Sequence, residues 1–298
     1  MSALAWFELI ASGLLTGGVY ALVALGLNLQ YGLMRILNIA HGEFLVVGAY
    51  LTWAAQTLLG VHPLLMMPVC FIVMMALGLA VHFVTFRRLT ATSPDLDIFE
   101  ARGLMVSFGL MFLVQNAVTW AWGGDLRGYD FMTQPVPVLG TQFAGNKLLV
   151  FALALLLSAA LIVALRLTLL GKGVRALMQS PTGARLVGID TRWLHPLMFG
   201  VGMGLSGVAG CLLSMAYTIS PSMGEPYTVT ALIVITLGGF GHMGGALAGA
   251  LLLGLIEAFG MHFTSPSLKS LLSYTVFIAV LLLRPRGLFA RRSEGKAR

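Results

Sequence analysis

Lys147-Leu-Leu-Val-Phe-Ala-Leu-Ala-Leu-Leu-Leu-Ser-Ala-Ala-Leu-Ile-Val-Ala-Leu-Arg166 places a cation at each end of an uncharged run whose one polar side chain is the hydroxyl of Ser158. About 20 such residues, rising 1.5 Å each, cross the hydrocarbon core of a bilayer. The stretch therefore reads as a membrane span over 147–169. The same test, moved outward, marks spans at roughly 7–30, 36–59, 64–86, 103–122, 193–217, 227–241, 244–260 and 269–283. The expected fold is an all-α polytopic membrane protein of about 8–9 transmembrane helices in one domain over 1–298. The two spans either side of Gly238-Gly239-Phe240-Gly241-His242-Met243-Gly244-Gly245 are too short for two full crossings, which predicts a broken or re-entrant, Gly-rich pair.

Composition agrees. Of 298 residues only 10% are charged, against about 25% in a soluble domain, while 58% are hydrophobic and 36 more are Gly. Mean hydropathy is +0.91. The net charge of +7 does not point to nucleic acid, because the basic residues fall in short loops between apolar runs. Cys70 and Cys211 lie inside apolar runs and read as small hydrophobes without a disulfide. No Lys or Arg precedes the first apolar run, which argues against a cleaved signal peptide.

Loop charge predicts the orientation. With the N-terminus outside, fifteen of the eighteen Lys and Arg face the cytoplasm, leaving only Arg127, Lys147 and Lys269 opposite. This is N-out, C-in, and nine crossings satisfy it. The outer loop at 123–146 is polar and Pro-rich, either a connector or a receiver for an external partner. The inner loop at 171–192 contains a short helix with Ser180 at its N-cap, Pro181 at the first position and Gly188 at its stop. Ala184, Leu186, Val187 and Ile189 make that helix partly apolar, so a neighbour should cover it. A basic cytoplasmic tail runs over 284–298.

Small residues four apart (Gly13 and Gly17; Gly200 and Gly204; Gly241, Gly245 and Gly249) predict close helix packing in lipid. Polar residues in the spans are the functional candidates. Asn28, Gln30, Asn38, His41 and Glu43 cluster at the first turn between spans, where Asn38 or His41 is suited to cap the second helix. Gln115 and Asn116 are adjacent and point to different helix faces, His82 reads as interfacial beside Arg87, and Glu257 lies near the outer end of its span. No metal-ligand spacing and no Gly-x-x-x-x-Gly-Lys-[Ser/Thr] loop occurs, so no cofactor and no ATP hydrolysis are expected of this chain. Gly204-Leu205-Ser206-Gly207 with Gly241-His242-Met243-Gly244-Gly245 resembles the serine–histidine dyad of rhomboid proteases over nine residues only.

Nearly end to end, the chain resembles the permeases of branched-chain amino acid ABC importers of the LivH type. The resemblance is carried by Thr16-Gly-Gly-Val-Tyr-Ala-Leu22, the Asn38-Ile-Ala-His-Gly42 turn, Gly173-Val-Arg-Ala176 with Ala184-Arg-Leu-Val-Gly-Ile189, Leu237-Gly-Gly-Phe-Gly241 with Gly244-Gly-Ala246, and Arg284-Pro-Arg-Gly-Leu-Phe289. Ile39 and His242 depart from the usual pattern. The resemblance implies a multi-pass subunit of the bacterial inner membrane with no chemistry of its own. Its implied partners are a second, related permease, two cytoplasmic ATP-binding subunits that use ATP and Mg, and a periplasmic binding protein. It further implies that Arg175, Ala184, Arg185, Leu186, Gly188 and Ile189 couple to an ATPase. Substrates in the family include branched-chain and other amino acids, urea and short amides. We expect a path or gate at Tyr20, Asn28, Asn38, His41, Gly42, Glu43, Asn116 and Gly244, with helix N-termini near Gly42 or Gly244 suited to a substrate carboxylate. An ion-coupled secondary transporter is the alternative, disfavoured by how few intramembrane carboxylates it would have.

Overall fold

A computed structural model describes residues 3–93, 95–265, 268–284 and 287–289. The tail cations Arg286, Arg291, Arg292, Lys296 and Arg298 lie outside the described residues. The apolar runs fold as α1 (Ala3–Met34), α2 (His41–Leu59), α3 (Pro63–Val81), α5 (Leu96–Trp122), α6 (Gly145–Leu167), α9 (Thr191–Ala216), α10 (Gly224–Gly238), α11 (Met243–Phe263) and α12 (Lys269–Leu283). A π turn at His82–Phe86 continues α3 into the short α4 (Arg87–Thr92). Among the described residues, six segments are long and apolar enough to cross a membrane: Leu4–Met34, Pro63–Thr90, Asp97–Trp122, Gly145–Leu167, Thr191–Ala216 and Met243–Phe263. The protein is an all-α, multi-pass membrane protein.

Helices α1 and α9 form the centre. In α9, 89% of the most apolar window is buried, against 17% in α5, which leaves α5 on the rim with α3 and α6. Glycine sets the seams. A Cβ on Gly13 would fall 2.9 Å from Gly254 O, and one on Gly17 would fall 2.9 Å from Ala250 O, so α1 and α11 run antiparallel with their backbones in contact. Gly200 and Gly204 do the same against Met75 and Phe71 of α3, and Gly249 against Val234 of α10. The predicted small-residue faces are thus packing faces. Cys70 of α3 and Cys211 of α9 are buried free thiols, Cys70 Sγ donating to Gly48 O (3.5 Å) and Cys211 Sγ to Pro63 O (3.6 Å).

The sequence reading expected a short, broken pair around 238–245, and α10, at 15 residues, is indeed a partial helix, although the turn after it is not itself the break. The turn from α10 into α11 runs through Gly239 and Gly241 at φ 91° and 76°. The breaks lie at the other ends, since α2 and α10 both begin partway through the protein. At the start of α2, His41 meets Val23 of α1 and Ser206 of α9, each well inside its own helix, so α2 starts deep in the layer. Gly42 N donates to Thr228 Oγ1 in the first turn of α10 (2.8 Å), and a Cβ on Gly224 would fall 2.5 Å from Glu43 Oε1. The N-terminal ends of two partial helices therefore converge, reached by non-helical segments at 35–40 and 218–223. The sequence placed a helix N-terminus near Gly42 but read 36–59 as one continuous span, so the depth at which α2 begins did not show.

Two loops carry more structure than expected. The outer loop folds a hairpin, β1 (Pro135–Val138) paired antiparallel with β2 (Thr141–Ala144). Its turn has positive φ at both central residues, Leu139 and Gly140, the geometry that matches strand twist in a two-residue connection. Arg127 bridges Ile219, fastening this loop to the segment that precedes α10. The inner loop carries α7 (Leu169–Gln179) before the anticipated short helix, α8 (Pro181–Leu186).

Candidate functional site

Five of the polar candidates, Asn28, Gln30, Asn38, His41 and Glu43, lie between the last turns of α1 and the first turn of α2, and none is solvent-exposed. His41 places Nε2 3.1 Å from Val23 O and Nδ1 3.4 Å from Gln30 Nε2. Asn38 Nδ2 donates to Gln30 Oε1 (3.1 Å). Neither Asn38 nor His41 caps α2, whose N-cap is Ala40 without a side-chain bond; both side chains reach back to α1 or its carbonyls instead. Asn28 Oδ1 accepts from Gly241 N (2.7 Å), tying α1 to the turn before α11. Glu43, in the first turn of α2, is fully buried, and among the described residues neither carboxylate oxygen has a hydrogen-bond partner; Asn38 Oδ1 is likewise unpaired. Glu43 lies where two helix N-termini supply positive potential, which partly offsets the cost of burying its charge. The junction thus presents unpaired acceptors at depth.

The other predicted positions stand apart. Asn116 is on the exposed face of α5 and donates to its own helix at Phe112 O (2.7 Å). Gly244 is in the first turn of α11, beside Arg166. Tyr20 turns away from the junction, donating to Glu257 Oε2 on α11 (2.8 Å). His82 is buried, its ring packed against Phe83 and Phe199. His242 caps α11, its Nδ1 accepting from Gly245 N (3.1 Å). Ser206 donates to His41 O (2.7 Å), so its hydroxyl serves a carbonyl and not an imidazole base. Sequence reasoning missed Thr228, Lys269 and Ser273, hydroxyls and a cation that look ordinary until the helices place them.

At the opposite end of α9 the coupling candidates form a compact unit. Ser180 Oγ accepts from Gly183 N (3.0 Å), Pro181 opens α8, and Gly188 ends it at φ 82°, the cap pattern expected from the sequence. Ala184 is buried and its carbonyl accepts from Ile189 N (3.0 Å). Arg175 donates to Leu165 O, closing α7 onto the end of α6. Arg185 points outward, Leu186 and Val187 are 84% and 75% exposed, and Trp193, in the first turn of α9, is also exposed. That is an apolar surface with a cationic edge. On the far side, Tyr129 in the outer loop bonds Ser214 (3.1 Å), and burial pushes its phenol up to about 12, so it stays neutral.

A family profile described as branched-chain amino acid transport system / permease component matches residues 9–281. The chain is 31% identical over 296 residues to the high-affinity branched-chain amino acid transport system permease protein BraD of Pseudomonas aeruginosa, covering 96% of each. It is 28% identical to the corresponding LivH protein of Escherichia coli, covering 94% of each. The probable branched-chain amino acid transport permease protein LivH of Methanocaldococcus jannaschii is 25% identical over 94% of this chain and 91% of its own length.

Proposed function

Since the chain belongs to the family of branched-chain amino acid transport permeases, we propose that it is the membrane-spanning subunit of an ATP-driven importer in the cytoplasmic (inner) membrane. It translocates branched-chain or related amino acids, with small amides or urea as further candidates, delivered by a periplasmic binding protein. It lies N-out, C-in, as its loop charges favour. The observation that carries the reading is the convergence of α2 and α10, buried helix N-termini deep in the layer, of the kind that bind charged solutes in transporters. Asn28, Asn38, His41, Gly42 and Glu43 line or gate the path there, with Tyr20 and Gly244 flanking it. Asn116 reaches a path only where a second permease subunit packs on α5. The exposed α8 surface, Arg185 and Leu186 foremost, docks the ATP-binding subunits, which hydrolyse ATP with Mg.

The test is purification of the chain from mild detergent with whatever remains bound. Recovery of two ATP-binding subunits and a second permease is the expected outcome; recovery of the chain alone from a transport-active preparation would refute it. The unpartnered Glu43 is the one observation that favours ion coupling instead. Uptake that survives ATP depletion and collapses with the ion gradient would establish that rival.

A further inference from the structure

Tyr20, Glu257 and Lys269 take no part in the junction at His41, yet they converge on a cavity of about 200 Å³ enclosed by α1, α10, α11 and α12. The side chain of Glu257 is 3% exposed. Its carboxylate accepts from Tyr20 (2.8 Å) and Ser273 (2.6 Å) and pairs with Lys269 Nζ at 3.2 Å. Lys269, 38% exposed, also donates to the Tyr20 hydroxyl (3.0 Å). A carboxylate offers about four acceptor directions and an ammonium three donors. Among the described residues these neighbours use three of the first and two of the second, which leaves each charged group one direction, and both groups line the cavity. Val229, Ile233 and the Tyr227 ring contribute an apolar wall.

An α-amino acid carries its ammonium and carboxylate on one carbon. Two protein charges already in contact can meet that pair with the opposite signs aligned: Glu257 to the ammonium, and Lys269 to the carboxylate. Lys269 and Ser270 open α12, so the positive end of that helix adds to the attraction for the carboxylate. We propose that this cavity binds the zwitterion of an apolar α-amino acid, with its side chain against Val229 and Ile233. The choice of ligand rests on the transport reading above. A purely structural ion pair, pinning α12 to α11, would use the same bonds and leave no response to a solute.

The probe is L-leucine, and the readout is protection of a cysteine. Cys70 and Cys211 are buried, so Thr230→Cys adds an accessible thiol at the cavity wall. Leucine is expected to slow its reaction with a membrane-permeant maleimide about tenfold or more, while leucinamide, lacking the carboxylate, and 4-methylpentanoate, lacking the ammonium, do not. Glu257→Gln and the half-exposed Lys269→Gln, each combined with Thr230→Cys, should abolish protection. Protection equal for all three solutes, or unchanged in both charge variants, would overturn the site. Leucine uptake by the intact transporter is measured alongside. Uptake without protection sinks the site and leaves the transport reading standing, whereas protection without uptake of any branched-chain amino acid supports the site and refutes that reading.

Discussion

At the residue scale, burial and unmet hydrogen bonding separate the polar candidates. His41 is fully buried between Val23 O and Gln30, so His41→Ala removes both contacts and leaves a cavity; a loss of about 1–3 kcal/mol is expected, together with loss of uptake. Asn116→Ala removes only a bond to its own helix on an exposed face, and the expected change is within about 0.5 kcal/mol, with uptake retained. Thermal unfolding in detergent and uptake at equal expression check both. Glu43 has the opposite character, since its oxygens are buried and unpaired. Glu43→Gln should therefore leave the protein at least as stable while reducing uptake; a variant that melts lower and transports normally would deny it a role in the path. The polarity of these residues was legible from the sequence. Their partners were not, because Gln30 and Val23 reach His41 only once 35–40 doubles back along α1.

At the element scale, the seams explain why glycines cannot be treated alike. A Cβ on Gly210 would collide with the carbonyl of Leu45 where α9 crosses α2, whereas one on Gly109 of α5 would meet nothing within 4 Å. Gly210→Ala should cost about 1–3 kcal/mol through overpacking. Gly109→Ala should stabilise by about 0.5–1 kcal/mol, because the unfolded chain then has less freedom to lose. Paired melting curves check the contrast. For α8, Leu186→Glu should leave the fold intact, since the side chain is almost wholly exposed, while uncoupling ATP hydrolysis from uptake. Normal stimulated hydrolysis with normal transport would refute the coupling assignment. The caps of α8 could be read directly because Ser, Pro and Gly act locally. The amphipathic α7 was missed, since Gly171 and Gly173 obscure its periodicity.

At the scale of the whole molecule, the buried pair α1 and α9 is ringed by helices whose outer faces stay apolar and bare. The assigned orientation predicts that Thr133→Cys in the outer loop and Thr182→Cys in α8, both exposed positions, are modified from opposite sides by an impermeant maleimide. Labelling of both from one side would overturn it. The positions of the apolar helices were legible because lipid demands long uncharged runs; the depth at which α2 and α10 begin was not, because it depends on contacts between distant segments. That depth has a consequence for biogenesis. The carbonyl of His41 meets its Ser206 partner 165 residues later in the chain. At about 5–20 residues per second of synthesis, α2 spends roughly ten to thirty seconds beside the translocon before α9 emerges. Throughout that interval Asn38, His41 and Glu43 have no finished interior to enter, so the first half of the nascent chain depends on an insertase or on water in the translocation channel to shelter them.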